Sequence, residues 1–259
     1  MTAFFVFSAD MAHILYRGVY MEKLKIYTIC SITLICVFLF GGLVYTAFDD
    51  TAAVPAAADS SDNAPVIVID AGHGGEDSGA VANGLLEKDI NLSIALKLRD
   101  MLRLSGYKVV MTREEDISIY DDTAATTREK KNSDLKNRVS IINENKNNIL
   151  VSIHQNKFEQ EKYSGTQMFY SANDPQSEKL AEEMRKSVTG LLQPENKREL
   201  KEAGKNIYIL RQAEVPAVIF ECGFLSNNDE AALLKTDAYQ QKMAFSICCG
   251  MINYLKSRK

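Results

Sequence analysis

Beyond residue 65 the chain alternates short β-branched apolar runs with longer stretches in which apolar residues recur at helical spacing. That alternation predicts an α/β domain with helices on a central sheet. The expected strands are Val66 to Asp70, Tyr107 to Thr112, Ile149 to His154, Gly165 to Tyr170, Ile207 to Leu210 and Ala217 to Glu221. Helices are expected from about Lys88 to Leu104, closed by Gly106, and from Leu135 to Glu144 behind an Asp134 cap. Two more are expected, one from Pro175 to about Leu192 and one from Ala238 to Leu255. Arg113 to Ser133 reads as a long polar connection. The expected fold is a single α/β domain, a mixed central sheet of about six strands with helices on both faces, preceded by an N-terminal transmembrane helix.

That last element comes from a different pattern. Residues 26–48 are an uncharged run of 23 residues, about the length a helix needs to cross a hydrocarbon core of roughly 30 Å. Arg17, Lys23 and Lys25 precede it and Asp49 and Asp50 follow, so the positive-inside rule places residues 1–25 in the cytoplasm and the bulk of the chain outside. A cleaved signal peptide has a shorter apolar core, about 7 to 15 residues, so the run is expected to be an uncleaved signal-anchor. Met21 opens a second candidate start, which sets residues 1–20 apart. Residues 49–64, mostly Ala, Asp and Ser, read as a flexible linker to a domain spanning 65–259.

Charge and cysteine usage narrow the function. The formal net charge is -4 and no Lys/Arg stripe is present, which argues against nucleic acid as a partner. The five cysteines show no disulfide framework: Cys30 and Cys36 lie in the apolar run, Cys222 in a strand, and Cys248 and Cys249 side by side in a helix.

Three histidines exist, and two of them, His73 and His154, fall at or just after the C-terminal ends of expected strands. In open α/β sheets that edge is where ligands bind. His73 sits in Asp70-Ala-Gly-His-Gly-Gly75, whose glycines let the backbone turn sharply. His154 closes the strand and continues into Gln155-Asn156. Catalytic zinc commonly takes two imidazoles and one carboxylate, and Glu87, at the start of an expected helix, is the best third ligand. Glu221 ends an apolar strand, where a carboxylate is either paired or working. Facing the metal, it could take a proton from the attacking water and deliver it to a leaving amine. Each residue also has a bland reading. A strand-end histidine is often just hydrogen-bonded, Glu87 could be a helix cap, and Glu221 could pair with Arg138 or Arg211. It is the set of four that favours a metal site.

Four stretches carry a resemblance: Val66-Ile-Val-Ile-Asp-Ala-Gly-His-Gly-Gly75, Leu86-Glu-Lys-Asp89, Ser152-Ile-His-Gln-Asn156 and Glu221-Cys-Gly-Phe-Leu-Ser-Asn227. Together and in this order, they resemble the zinc-dependent N-acetylmuramoyl-L-alanine amidases of the amidase-3 type, most nearly the germination-specific, spore-cortex branch. The resemblance implies one zinc ion per chain on His73, Glu87 and His154, with Glu221 as the catalytic glutamate. Asn156 and Arg138 are candidates for binding substrate or supporting the ligands. The implied substrate is peptidoglycan, cut at the amide joining the lactyl group of N-acetylmuramic acid to L-alanine, in cortex maturation and germination. The expected partners are that substrate, the membrane through the N-terminal helix, and an accessory protein of unknown identity. Two rivals stay open at this point, a zinc peptidase or deacetylase acting on another wall bond and a non-catalytic wall-binding module.

Overall fold

The computed structural model describes residues 64–258. In chain order the elements are β1 (Val66–Ala71), β2 (Val81–Ala82), β3 (Leu85–Leu86), α1 (Glu87–Leu104), β4 (Lys108–Met111), α2 (Thr127–Asn143) and β5 (Asn148–Asn156). Then follow β6 (Gln167–Tyr170), α3 (Gln176–Leu191), β7 (Lys201–Glu202), α4 (Tyr208–Gln212), β8 (Ala217–Phe224), α5 (Asn228–Leu234) and α6 (Asp237–Ser257). Six strands form one sheet in the order β4-β1-β5-β8-β6-β7, and β2 and β3 form a separate hairpin. The β4, β1, β5 and β8 strands run parallel, whereas β6 pairs antiparallel with β8, so the sheet is mixed.

Strands buried on both faces must be apolar at every position, and the central three are nearly so. Their alternate residues feed two cores. Ile67, Ile69, Val151, Ile153 and Phe220 pack under α1, α3 and α6, while Val68, Leu150, Ala217 and Ile219 pack under α2 and α4. Continuing that alternation past the second core brings Asp70, Ser152, His154 and Glu221 to the same face, at the C-terminal edge of the parallel strands.

Asp70 is fully buried there and fully bonded. It accepts from Thr112 Oγ1 at 2.8 Å, Ser152 Oγ at 2.5 Å and Arg138 Nη1 at 2.5 Å. Burial opposes its ionisation, but the Arg138 guanidinium, His154 and the two hydroxyls outweigh it and hold Asp70 at about 2. A depressed carboxylate contributes stability that is present above its unfolded value of 3.8 and is lost as pH falls toward 2. Asp70→Asn is therefore expected to cost about 3 kcal/mol at pH 7, the low end for breaking a buried pair, because Arg138 keeps Asp134 as a partner. Urea titrations at pH 7 and pH 3 check this, since the gap between the two proteins should narrow at the lower pH.

Several expectations need correction. The transmembrane helix is not part of the fold described: among the described residues no helix is long and apolar enough to cross a membrane. The 26–48 segment, like the 1–25 and 49–63 segments, lies outside the described residues. Among the described residues the longest helix, α6, has 21 residues but carries Lys242 and Lys256 and buries one side against α1 and α3. The strand expected at Ile207 to Leu210 is the short helix α4, with Ile209 and Leu210 buried. So short an apolar run has no period of its own to separate the two states. The helix expected from Leu135 begins instead at Thr127, where Thr126 and Glu129 make a reciprocal capping box. Asp134 lies inside that helix and pairs with Arg138.

Candidate metal centre and active site

The loop after β1 reverses sharply, and His73 takes the left-handed conformation with φ 62°. A residue with a Cβ adopts that conformation at a cost, so something must hold it. Two buried arginines and an asparagine do so by capping the loop's carbonyls. Arg138 donates to Ala71 O and His73 O, Arg113 donates to Ala71 O and Gly72 O, and Asn91 donates to Gly72 O. Arg138 is thus a brace beneath His73, 1% exposed, with all its nitrogens committed to protein partners. Opposite the backbone strain, Asp77 Oδ2 lies 2.9 Å from His73 Nδ1 and fixes the ring, leaving Nε2 directed at Glu87 Oε1, 3.3 Å away. Burial pulls the His73 pKa down, but hydrogen bonds to Asp77 and Glu87 overcome it and raise it to about 9.

Glu87 is delivered by the β2–β3 hairpin, whose Asn83-Gly84 turn has positive φ at both residues. Glu87 opens α1 directly after β3 and is 4% exposed. Its Oε2 accepts from Ala80 N at 2.7 Å, and its Oε1 accepts from Gln155 N at 3.1 Å and Asn91 Nδ2 at 3.3 Å. Burial alone would raise its pKa, yet His154 and His73 hold the carboxyl well below the usual range.

His154 lies on β5 with Nδ1 2.8 Å from Glu87 Oε1. Its imidazole packs against Gly72 so closely that a Cβ built there would come within 2.2 Å of Cε1. Gly79, with φ +64°, is likewise closed to a side chain, because its Cβ would stand 2.6 Å from both Glu87 Oε2 and His73 Cδ2. Two of the loop glycines thus leave space for the side chains of His154, Glu87 and His73.

Glu221 sits on β8 as the direct partner of His154 across the strand pair, so the two side chains share one face. It pairs with neither Arg138 nor Arg211. Its Oε2 is buried and has no hydrogen-bond partner among the described residues. Burial, opposed by His154 and reinforced by the Glu87 charge, pushes Glu221 up to about 7. Asn156 is two residues past His154, at the end of β5, paired with Phe224.

The donor atoms of His73, Glu87 and His154 all lie within 4.8 Å of one another. Their closest separations, 2.8 and 3.3 Å, approach the roughly 3.4 Å between ligands of a tetrahedral ion with bonds of about 2.1 Å. Two imidazoles and a carboxylate are a catalytic-zinc donor set, and the unpartnered Glu221 oxygen beside them is a buried acceptor that the protein alone does not satisfy. The residues fit a metal. Sequence reasoning missed Asp77, Asn91 and Gly79, which touch His73 or Glu87, and Arg113, which holds the carbonyls of the His73 loop, none of them carrying a motif of its own. The Asn83-Gly84 dipeptide was the one readable signal for the hairpin.

Comparison with known proteins shows the family. A family model described as N-acetylmuramoyl-L-alanine amidase, Amidase_3, matches residues 67–253. The chain belongs to this amidase family. It is 36% identical over 193 residues to the germination-specific N-acetylmuramoyl-L-alanine amidase of Bacillus subtilis, covering 74% of this chain and 81% of that one. Among solved structures it resembles the CwlD amidase from Clostridioides difficile, in complex with the GerS lipoprotein, with TM-score 0.71 and 43% identity over 74% of this chain and 99% of that one. It also resembles the catalytic domain of CwlV from Bacillus (Paenibacillus) polymyxa, with TM-score 0.61 and 32% identity over 74% of this chain and 98% of that one. The enzyme is a peptidoglycan N-acetylmuramoyl-L-alanine amidase.

Proposed function

We propose that this amidase uses one zinc ion held by His73, Glu87 and His154, with Glu221 as the acid/base, and that it acts in spore cortex maturation and germination. The observation that carries the reading is the convergence of the three donor atoms beside an unpartnered buried carboxyl oxygen. Zinc in such a site supplies Lewis acidity, polarising the scissile carbonyl and making water a competent nucleophile near neutral pH.

The chain's own residues supply the rest. Glu221, on the same face as His154 and with its Oε2 unpartnered, can take the proton of the attacking water and return it to the alanyl nitrogen as the amide breaks. No side chain needs to form a covalent bond to the substrate. Asp77 holds one proton of His73 on Nδ1, so that Nε2, facing Glu87, is the nitrogen that would give up its proton and offer a lone pair to a bound metal. The cortex role is supported by the likeness to a germination-specific amidase, and an accessory lipoprotein partner by the complex recorded for the Clostridioides difficile relative. Peptidoglycan lies outside the cytoplasm, and the reaction is placed there.

The test is to incubate the protein with purified muropeptides and weigh the products. The expected outcome is free stem peptide beginning with L-alanine, release that stops with a chelator and returns with zinc. Addition of one water elsewhere in the muropeptide would contradict the bond assignment.

A further inference from the structure

Beyond Glu221 the same face of the sheet continues into a groove that the reaction above leaves without a role. Gln167 on β6 lies directly opposite Glu221, Phe169 follows on the same face, and Lys201 on β7 pairs with Phe169. Gln167, Phe169 and Lys201 line a cavity of about 260 Å³ together with Asn156, Phe158, Tyr163, Arg198 and Phe224. The volume falls below the roughly 300–1,000 Å³ of a pocket for a whole drug-sized ligand, so it suits one portion of a longer substrate.

Its chemistry is specific. No carboxylate lines it, and two cations do. Arg198 is held in place: its Nε donates to Ser164 O at 2.6 Å, its Nη1 to Gln167 Oε1 at 3.4 Å, and its guanidinium lies 4.6 Å over the Phe224 ring. Lys201 Nζ stands 5.9 Å over Phe169. Phe158 and Tyr163 meet edge to face at 4.9 Å and extend the apolar wall. Among the described residues neither cation makes a salt bridge within 4.0 Å, and the Glu230 carboxyl that feels the Arg198 charge lies outside the lining of this cavity. A fixed guanidinium with a spare edge is the group that recognises a carboxylate.

The direction of the substrate follows from the proposed chemistry, on which this inference rests. The residue that protonates the leaving nitrogen must touch it, so the departing stem peptide extends on Glu221's side of the cluster, over β8, β6 and β7. The acyl side, with the sugar, then lies toward β1. We propose that the Arg198/Lys201 groove is the stem-peptide subsite, where the two cations bind a free carboxylate of the peptide and the aromatic wall covers its apolar portion.

The experiment compares the full chain on two muropeptides, one with its stem carboxylates free and one with them converted to primary carboxamides. The wild-type protein is expected to cleave the acid at least about tenfold more efficiently in kcat/KM, as a charge-assisted bond implies. Arg198→Gln and Lys201→Met are each expected to cut that preference by about tenfold, mainly through KM. Because Arg198 also braces Ser164, the exposed Lys201 provides the second variant, and thermal melts confirm that both fold. An unchanged acid-to-amide ratio in both variants, or no preference in the wild type, would overturn the assignment. Failure to release peptide from either substrate would overturn the underlying reading of the reaction, and this subsite with it.

Discussion

Replacing Glu221 by Gln is expected to lower kcat by about 10²- to 10⁴-fold, the range a positioned acid/base contributes, while leaving metal content at one per chain. The substitution keeps the shape of the side chain and removes only its ability to exchange a proton. Glu221 is the partner of His154 across the strand pair, yet its Oε2 makes no hydrogen bond, so no structural contact is lost with the charge. Metal analysis alongside single-turnover hydrolysis separates the two effects. A variant that retained wild-type turnover would mean the proton travels by another route, and one that lost its metal would make Glu221 a ligand.

The second large effect is expected at Glu87. Glu87→Gln removes the only carboxylate among the three donors and sets its amide against Ala80 N and Gln155 N, which now donate to it. Zinc affinity should fall well beyond the roughly 10- to 100-fold that loss of a supporting partner costs. Asp77→Asn supplies the comparison, because Asp77 orients His73 without reaching the cluster's centre, and it should stay inside that 10- to 100-fold range. Competition against a zinc-binding dye measures both. Equal losses in the two variants would contradict the division of roles.

Much of this centre was legible in the residues because it lies where sequence pattern is strongest. The strands β1, β5 and β8 are apolar runs, and their polar ends, Asp70, His154 and Glu221, stand out against them. What stayed hidden was what distant segments supply. Arg138 was a candidate without an assigned contact, and Arg113 was not a candidate at all; they reach the His73 loop from 67 and 42 positions away, contacts no local spacing encodes. Helix α2 began eight residues early because its first turns face solvent and carry no apolar period, leaving the Thr126–Glu129 box as the only mark. Conversely, the apolar run at Ile207 to Leu210 suggested a strand, but tertiary packing coiled it into α4. The membrane helix came from a single-segment length rule, and nothing in the described fold carries it.

The most direct measurement is anomalous scattering at the zinc edge from crystals of the protein grown with zinc. The expected result is one strong peak per chain, about 2.0–2.2 Å from His73 Nε2, a Glu87 carboxyl oxygen and a His154 ring nitrogen. A peak coordinated by other residues, or none at saturating zinc, would contradict the metal centre on which the proposed chemistry depends.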